Sequence, residues 1–205
     1  LFCVQDQLLV RSAVVCGWIP IMDQHVIRPV RADEWEKVKE LRIDALNDPA
    51  APVAFLDTAE QAEARSDEFW QDRAQGASHG RHARQFVAEA GDGAWDGSVT
   101  VLVEESGTVD FFERPIEQTQ GHLVGVFVRP QWRGTGLTEG LFAAALEWAW
   151  SLEGPALERV RLFVHDGNAR AGAFYRRFGF EASGHVVPVP GDPSAKELEY
   201  VFRRP

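Results

Sequence analysis

Gly134, Gly136 and Gly140 follow Arg133 where a short apolar run, His122 to Val128, gives way to a helical pattern that starts near Leu137. Glycines at such a junction let the backbone approach a ligand closely, and free N–H groups at the start of a helix, backed by the positive end of its dipole, form an anion site. Arg133 can add charge-assisted hydrogen bonds to a phosphate. Glycine spacing alone fits an unliganded strand-to-helix turn equally well. A Rossmann site, and with it a nucleotide-cofactor oxidoreductase, is the competing ligand reading. It fits poorly, because five residues, Arg129 to Arg133, separate the last valine of the run from Gly134, whereas the first fingerprint glycine forms the turn directly after the strand. A Walker loop is excluded, since no Gly-Lys-Ser/Thr occurs.

Other reactive side chains point to less. His79 and His82 sit in a polar stretch with no partner cluster, which reads as a solvated turn, and no metal is expected. His165-Asp166 reads as a local hydrogen-bonded turn at a strand end. Cys3 and Cys16 are the only cysteines, so the body of the chain has no internal disulfide, no cysteine zinc site and no thiol nucleophile, and the cytoplasm is the expected compartment.

The elements that must position these residues follow from periodicity. His25–Val30 reads as a strand, and a helix is predicted from about Asp33 to Leu46, with Asp33 and Glu36 as a capping pair ahead of Trp35, Val38, Leu41 and Ala45. Asp48-Pro49-Ala50-Ala51-Pro52 breaks it, and Thr58 with Gln61 opens a second helical stretch carrying Phe69 and Trp70. Residues 76–83 read as loop, Gln85–Ala90 and Ser98–Val103 as a hairpin through a glycine-rich turn, and 104–120 as a polar loop. His122–Val128 has the near-continuous apolar character of a strand buried on both faces. Leu137, Leu141, Ala144, Ala145, Trp148 and Leu152 form an amphipathic stripe ended by Gly154-Pro155. Val160–Val164 is a further strand, followed by a helix from Asn168 that Gly179 stops, and strands near Phe180–Val189 and Leu198–Arg203 close the chain. Strand, helices, hairpin, strand, helix, strand, helix, strands implies one mixed α/β sheet in a single domain.

The chain has 205 residues, 31 acidic against 21 basic, and a net charge of −10, which argues against gripping a nucleic-acid backbone. Residues 1–21 read as an N-terminal extension without chemistry, and 22–205 as the folded domain beginning near Met22. The apolar stretch 8–21 is interrupted by Arg11 and falls short of the roughly 20 residues of a membrane span, so no membrane association is expected.

Val128-Arg129-Pro130-Gln131-Trp132-Arg133-Gly134-Thr135-Gly136-Leu137-Thr138 closely resembles the acyl-CoA-binding signature of the GCN5-related N-acetyltransferases (GNAT), with Thr138 departing from the small residue usual at the last position. Asn168-x-x-Ala171-x-x-x-Tyr175-x-x-x-Gly179-Phe180 matches the second motif of that family. The resemblance spans roughly residues 25–203 and is strongest over 122–180. It implies a mixed central sheet flanked by helices and transfer of an acetyl group from acetyl-CoA to a primary amine by direct attack, with no acyl-enzyme.

By that resemblance the central strand splays from its neighbour, often at a bulge, and Val126, Phe127 and Val128 hydrogen-bond the pantetheine arm through their backbone. The pyrophosphate takes N–H groups from Arg133, Gly134, Thr135, Gly136, Leu137 and Thr138, and Asn168 touches the pantetheine. His122 falls where family members place a general base, with Glu104 and Glu105 in reserve, while Tyr175 protonates the departing thiolate. The acceptor is expected between Asn47–Thr58 and Pro188–Lys196. Residues 129–177 carry seven basic and five acidic side chains, leaving −12 elsewhere, a distribution that suits an anionic cofactor and a cationic amine. A non-catalytic acyl-CoA-binding regulatory module is the alternative of another class, and a homodimer is left open.

Overall fold

The computed structural model describes residues 24–205, so the expectations for the N-terminal extension, Cys3, Cys16 and Met22 lie outside the described residues. The elements run β1 (His25–Pro29), α1 (Trp35–Leu46), α2 (Ala59–Glu63), α3 (Asp67–His79), β2 (Ala83–Ala90), β3 (Trp95–Glu104), β4 (Gln120–Val128), α4 (Leu137–Ser151), β5 (Arg159–His165), α5 (Ala169–Phe178), β6 (Glu181–Val189) and β7 (Asp192–Arg203). The strands form one seven-stranded sheet in the order β1-β2-β3-β4-β5-β7-β6, antiparallel except for the β4–β5 pair.

Alternation along the strands sorts side chains between two cores. Val99, Val101, Leu123, Val160, Leu162 and Val164 meet Leu141, Phe142, Ala145 and Tyr175 from α4 and α5 on one face. Val38, Leu41, Ala45, Trp70 and Ala74 from α1 and α3 cover Val87, Trp95 and Phe127 on the other. Phe142 and Trp70 are each fully buried, and truncation of such a ring to alanine costs about 3–5 kcal/mol.

Local chemistry sets the helix ends, with two corrections to the sequence reading. Glu34, rather than the Asp33/Glu36 pair, reaches back to the Arg31 N–H at 2.8 Å, so a short 3-10 turn precedes α1. Residues 76–79 are helical, because Ala77 and Ser78 are buried against the second core and hold the chain helical past Gly76. The helix stops at Gly80, where a Cβ would lie 2.2 Å from the Gly76 carbonyl oxygen. Thr58 and Gln61 form the expected reciprocal cap, at 3.2 and 2.9 Å. Trp132 packs edge-on against the His25 ring, with centroids 4.5 Å apart, and joins the first core.

Candidate active site

The central cleft begins where two strands part. β4 pairs with β5 only at Gly121–Val160 and His122–Arg161, and beyond them neither strand has a partner on that edge among the described residues. Gly121 allows the close approach, since a Cβ there would lie 2.8 Å from Val160 Cγ2. Three residues later the β3–β4 register slips, with Thr100 opposite Val124 but Ser98 opposite Phe127. The extra residue is accommodated at Gly125, whose φ of +62° is disfavoured for any residue with a Cβ. The bulge turns β4 away from β5 and opens a cleft of about 1110 Å3 lined by Val124 to Val128, Arg133, Gly134, Thr138, Asn168 and Tyr175. The splay and bulge implied by the family resemblance are therefore both present.

At one end of the cleft the glycine loop leads into α4. Gly134 and Gly136 take φ of +78° and +95°, turning the chain so that Leu137, Thr138 and Glu139 begin the helix with N–H groups that have no acceptor within it. Leu137 is buried, so it offers this site its backbone alone. Thr135 spends its hydroxyl on the Trp132 carbonyl at 2.7 Å. Arg133 differs from expectation. Its N–H donates to the Pro130 carbonyl at 3.3 Å, and its guanidinium donates to the Val128 carbonyl at 2.8 Å and pairs with Asp48. It ties the α1–α2 connection to the end of β4 rather than projecting freely. Exposed Arg170 and Arg177, counted in the basic excess of 129–177 but not singled out in the sequence reading, line the cleft from α5, and their spacing of seven residues on one helix was the available signal.

At the apex of the splay, His122 Nδ1 lies 2.8 Å from Glu104 Oε1. Glu104 also accepts from Arg161 Nε and Nη2 at 2.8 and 2.9 Å and from Gln120 Nε2 at 2.9 Å. Burial pushes this carboxyl up, but the hydrogen bonds and charges of His122 and Arg161 prevail and hold it at about 2. Ionised Glu104 accepts hydrogen bonds only, so Nδ1 of His122 is the protonated nitrogen and Nε2 keeps its lone pair in the neutral ring. His122 lines the cleft, and Nε2 has no hydrogen-bond partner among the described residues. Arg161 is also held by Asp110 and Glu199, both at 3.1 Å. Asp110 belongs to the 104–120 loop, so this buried cation anchors the loop over the histidine. Glu105 is half-exposed and lies 3.5 Å from the His82 ring, apart from this network.

Tyr175 stacks on Phe142 at 5.8 Å, with its hydroxyl free of hydrogen bonds to the described residues and its side chain in the cleft wall. Burial raises its pKa, and nearby Glu197 raises it further. Asn168 caps α5 by accepting the Ala171 N–H at 3.1 Å and donates Nδ2–H to the Val53 carbonyl at 3.1 Å, so both ends of its amide have structural partners. Glu197, which the sequence reading missed, lines the same wall, and burial, with Asp166 adding repulsion, pushes it up to about 7. Nothing in a single glutamate within β7 marks it before its neighbours are known.

The acceptor side departs in part from expectation. Asp48 and, Pro52 apart, the residues from Ala50 to Asp57 line the cleft, but Pro188–Lys196 does not, because β6 and β7 close there in a tight hairpin. The 104–120 loop lines the cleft through Thr108, Val109, Asp110, Phe111 and Phe112. Among the described residues no helix is long and apolar enough to cross a membrane, and no group of three His, Cys, Asp or Glu side chains could hold a metal.

Comparison with known proteins agrees with this geometry. No match was found among curated proteins. Among solved structures, Arabidopsis thaliana NAA60 in complex with a bisubstrate analogue superimposes with a TM-score of 0.63 at 15% identity, covering 88% of this chain and 99% of that one. The PaiA N-acetyltransferase of Thermoplasma acidophilum in complex with coenzyme A gives 0.63 at 16% identity, covering 87% and 99%. A spermidine N-acetyltransferase SpeG chimera, from Vibrio cholerae and hSSAT, gives 0.60 at 17%, covering 88% and 95%. These likenesses establish the fold. The model of the Acetyltransferase (GNAT) family matches residues 35–180, and the chain belongs to that family.

Proposed function

We propose that the protein transfers the acetyl group of acetyl-CoA to a primary amine by direct attack within a ternary complex. The observation that carries this reading is the continuous cleft from the glycine loop to His122, opened by the loss of β4–β5 pairing. The N–H groups of Gly134, Thr135, Gly136, Leu137 and Thr138 bind the pyrophosphate, and Arg170 and Arg177 add positive charge. The backbone of Val126, Phe127 and Val128 holds the pantetheine arm along the unpaired edge of β4, with Asn168 flanking it. An N–H of this strand faces the thioester oxygen and stabilises it as negative charge develops. Coenzyme A in the T. acidophilum structure and the bisubstrate analogue in NAA60 support this assignment by analogy of fold.

A primary alkyl amine with a pKa of about 10.4 is mostly protonated at neutral pH and must lose a proton before or as it attacks. His122 accepts that proton at Nε2, and Glu104 orients the ring and stabilises the imidazolium that forms. Already ionised and tied to Arg161, Glu104 acts through the histidine. The amine nitrogen bonds to the acetyl carbon, the carbon–sulfur bond breaks with its electron pair leaving on sulfur, and the second proton that the nitrogen sheds as the amide forms ends, through solvent, on the thiolate. Tyr175 donates a hydrogen bond to that sulfur. Burial keeps the phenol protonated, and it also makes full transfer uphill, since a phenol raised above about 10 is a weaker acid than a thiol near 8.5.

Calorimetry with acetyl-CoA tests the cofactor half of the reading. Gly136→Glu places a carboxylate at the pyrophosphate and forces a side chain onto a left-handed φ, a strain of about 1–2 kcal/mol, with no heavy atom within 4 Å of the new Cβ. The variant should fold and lose binding. Retained micromolar affinity in the folded variant would overturn the assignment of the loop. Release of CoA thiol on adding an amine separates the enzyme from a non-catalytic acyl-CoA-binding module.

A further inference from the structure

Resting on the acetyl-transfer reading, we propose that the acceptor amine also carries an anionic group, a carboxylate or a phosphate, which Arg73 binds with help from Arg42. Arg42 on α1, Arg65 between α2 and α3, and Arg73 on α3 all line one wall of the cleft. Asp57 is the carboxylate they share. It accepts two hydrogen bonds from Arg65, at 2.8 and 2.9 Å, and lies 3.4 Å from Arg42. Arg42 and Arg65 also rest on the Phe55 and Phe69 rings at 4.5 and 4.7 Å. Arg73 has no ion pair, hydrogen bond or aromatic partner among the described residues. Three cations facing one anion leave this wall positive, although the chain as a whole carries −10.

Burial, with repulsion from Arg42 and Arg65, lowers the pKa of Arg73. A guanidinium does not lose its proton there as a lysine does, so Arg73 stays a cation on the cleft wall, open to water and to an anion entering the cleft. The pyrophosphate already has its site on the glycine loop in the proposed function. Arg42 and Arg73 lie elsewhere, sharing a small cavity of about 20 Å3 with Gly125 and Phe127 at the β4 bulge. His122 opens to the same main cleft, so an amine and an anion on one molecule can be held together. Leu56, Val109 and Phe111, 42%, 65% and 68% exposed, add apolar surface for the body of such a molecule. A polyamine such as the spermidine named for the SpeG structures would bring further cations to a positive wall. The expectation of a cationic amine, drawn from the −12 carried outside residues 129–177, is narrowed by this proposal to an amine that also bears an anion, on the local charge of the Arg42, Arg65 and Arg73 wall.

The test is a panel of primary amines matched in length and bearing a carboxylate, a phosphate or no anionic group, with spermidine as a polycation, read by release of CoA thiol. The carboxylate or phosphate arm should exceed the uncharged arm at least ten-fold in kcat/KM, and the better arm identifies the anion. Arg73→Met should remove that preference mainly through KM, Arg73→Lys should restore part of it, and acetyl-CoA affinity by calorimetry should stay within about two-fold. Equal or faster turnover of the uncharged amine or spermidine overturns the proposal, as does an unchanged preference in a folded Arg73→Met. Titration of glutarate and inorganic phosphate into the protein–CoA complex needs no turnover: saturable binding of either, lost in Arg73→Met, supports the anion site even if acetyl transfer fails, and no binding of either overturns it. Failure of acetyl-CoA binding or of all turnover tells against the proposed function instead.

Discussion

Replacing Tyr175 with phenylalanine deletes a single oxygen, and the structure sets what that oxygen is worth in each state. The ring packs against Phe142, Phe180 and Tyr200, contacts that phenylalanine keeps. The hydroxyl has no hydrogen-bond partner among the described residues, so its removal leaves no buried partner unsatisfied, and stability should change by less than about 0.5 kcal/mol. Acetyl-CoA affinity should stay within a few-fold. In the reaction, a hydrogen bond to a developing thiolate is worth about 1.5–3 kcal/mol, a loss of roughly 10- to 100-fold in the transfer step. Complete proton transfer from a positioned acid would be worth about 10²–10⁴-fold. The raised phenol pKa favours the smaller range. Thermal melting, calorimetry and rapid-quench single-turnover transfer read the three quantities separately. A wild-type transfer rate in the folded variant would make Tyr175 a core aromatic and leave protonation to solvent, and a loss beyond 10³-fold would refute the hydrogen-bond-only account.

Glu104→Gln should lower kcat far more than acetyl-CoA affinity, because the amide no longer imposes the Nδ1–H tautomer on His122. It should also lower the melting temperature through loss of about 3–5 kcal/mol of pairing to the buried Arg161, less whatever Asp110 and Glu199 retain. His122→Gln, with Glu104 intact, should reduce kcat without the larger stability loss. Glu104, held down at about 2, contributes stability above the unfolded value of 4.5 that is lost as pH falls toward 2. Glu197 has the opposite sign: the folded protein holds its proton up to about 7 and the unfolded chain to 4.5, so stability is lost as pH rises through that window. Glu197→Gln should therefore melt higher than wild type at pH 8, by at most on the order of 3 kcal/mol, with the advantage gone at pH 4. Equal melting temperatures at pH 8 would refute that placement. Gly125→Val should remove acetyl-CoA binding by forcing a Cβ onto φ +62° and straightening the bulge, and undiminished affinity would refute the bulge as the cause of the cleft.

The glycine loop, the strand before it and both motifs were legible because each is local. Gly134 and Gly136 are needed by the turn they make themselves, and Asn168, Ala171 and Tyr175 recur on one helix at intervals set by 3.6 residues per turn. Periodicity likewise located every strand of the sheet, but missed the first half of β7, 192–197, and the last turn of α3, 76–79, where burial of Ala77 and Ser78 overrides the loop character of the glycines around them. Tertiary structure alone decided what depends on residues distant in sequence. Glu104 was legible as a reserve base, but its pairing with His122 and its charge turn on tertiary contacts, above all with Arg161, which lies 57 residues away and helps hold it ionised. Glu197 acts on Tyr175 only because β7 and α5 meet at the cleft. Net charge could not show how charge is placed along the cleft, since Coulomb interactions fall off with distance and salt screens them beyond about 8–10 Å, so the grouping of Arg42, Arg65 and Arg73 on one wall is set by the packing of α1 and α3 and not by composition.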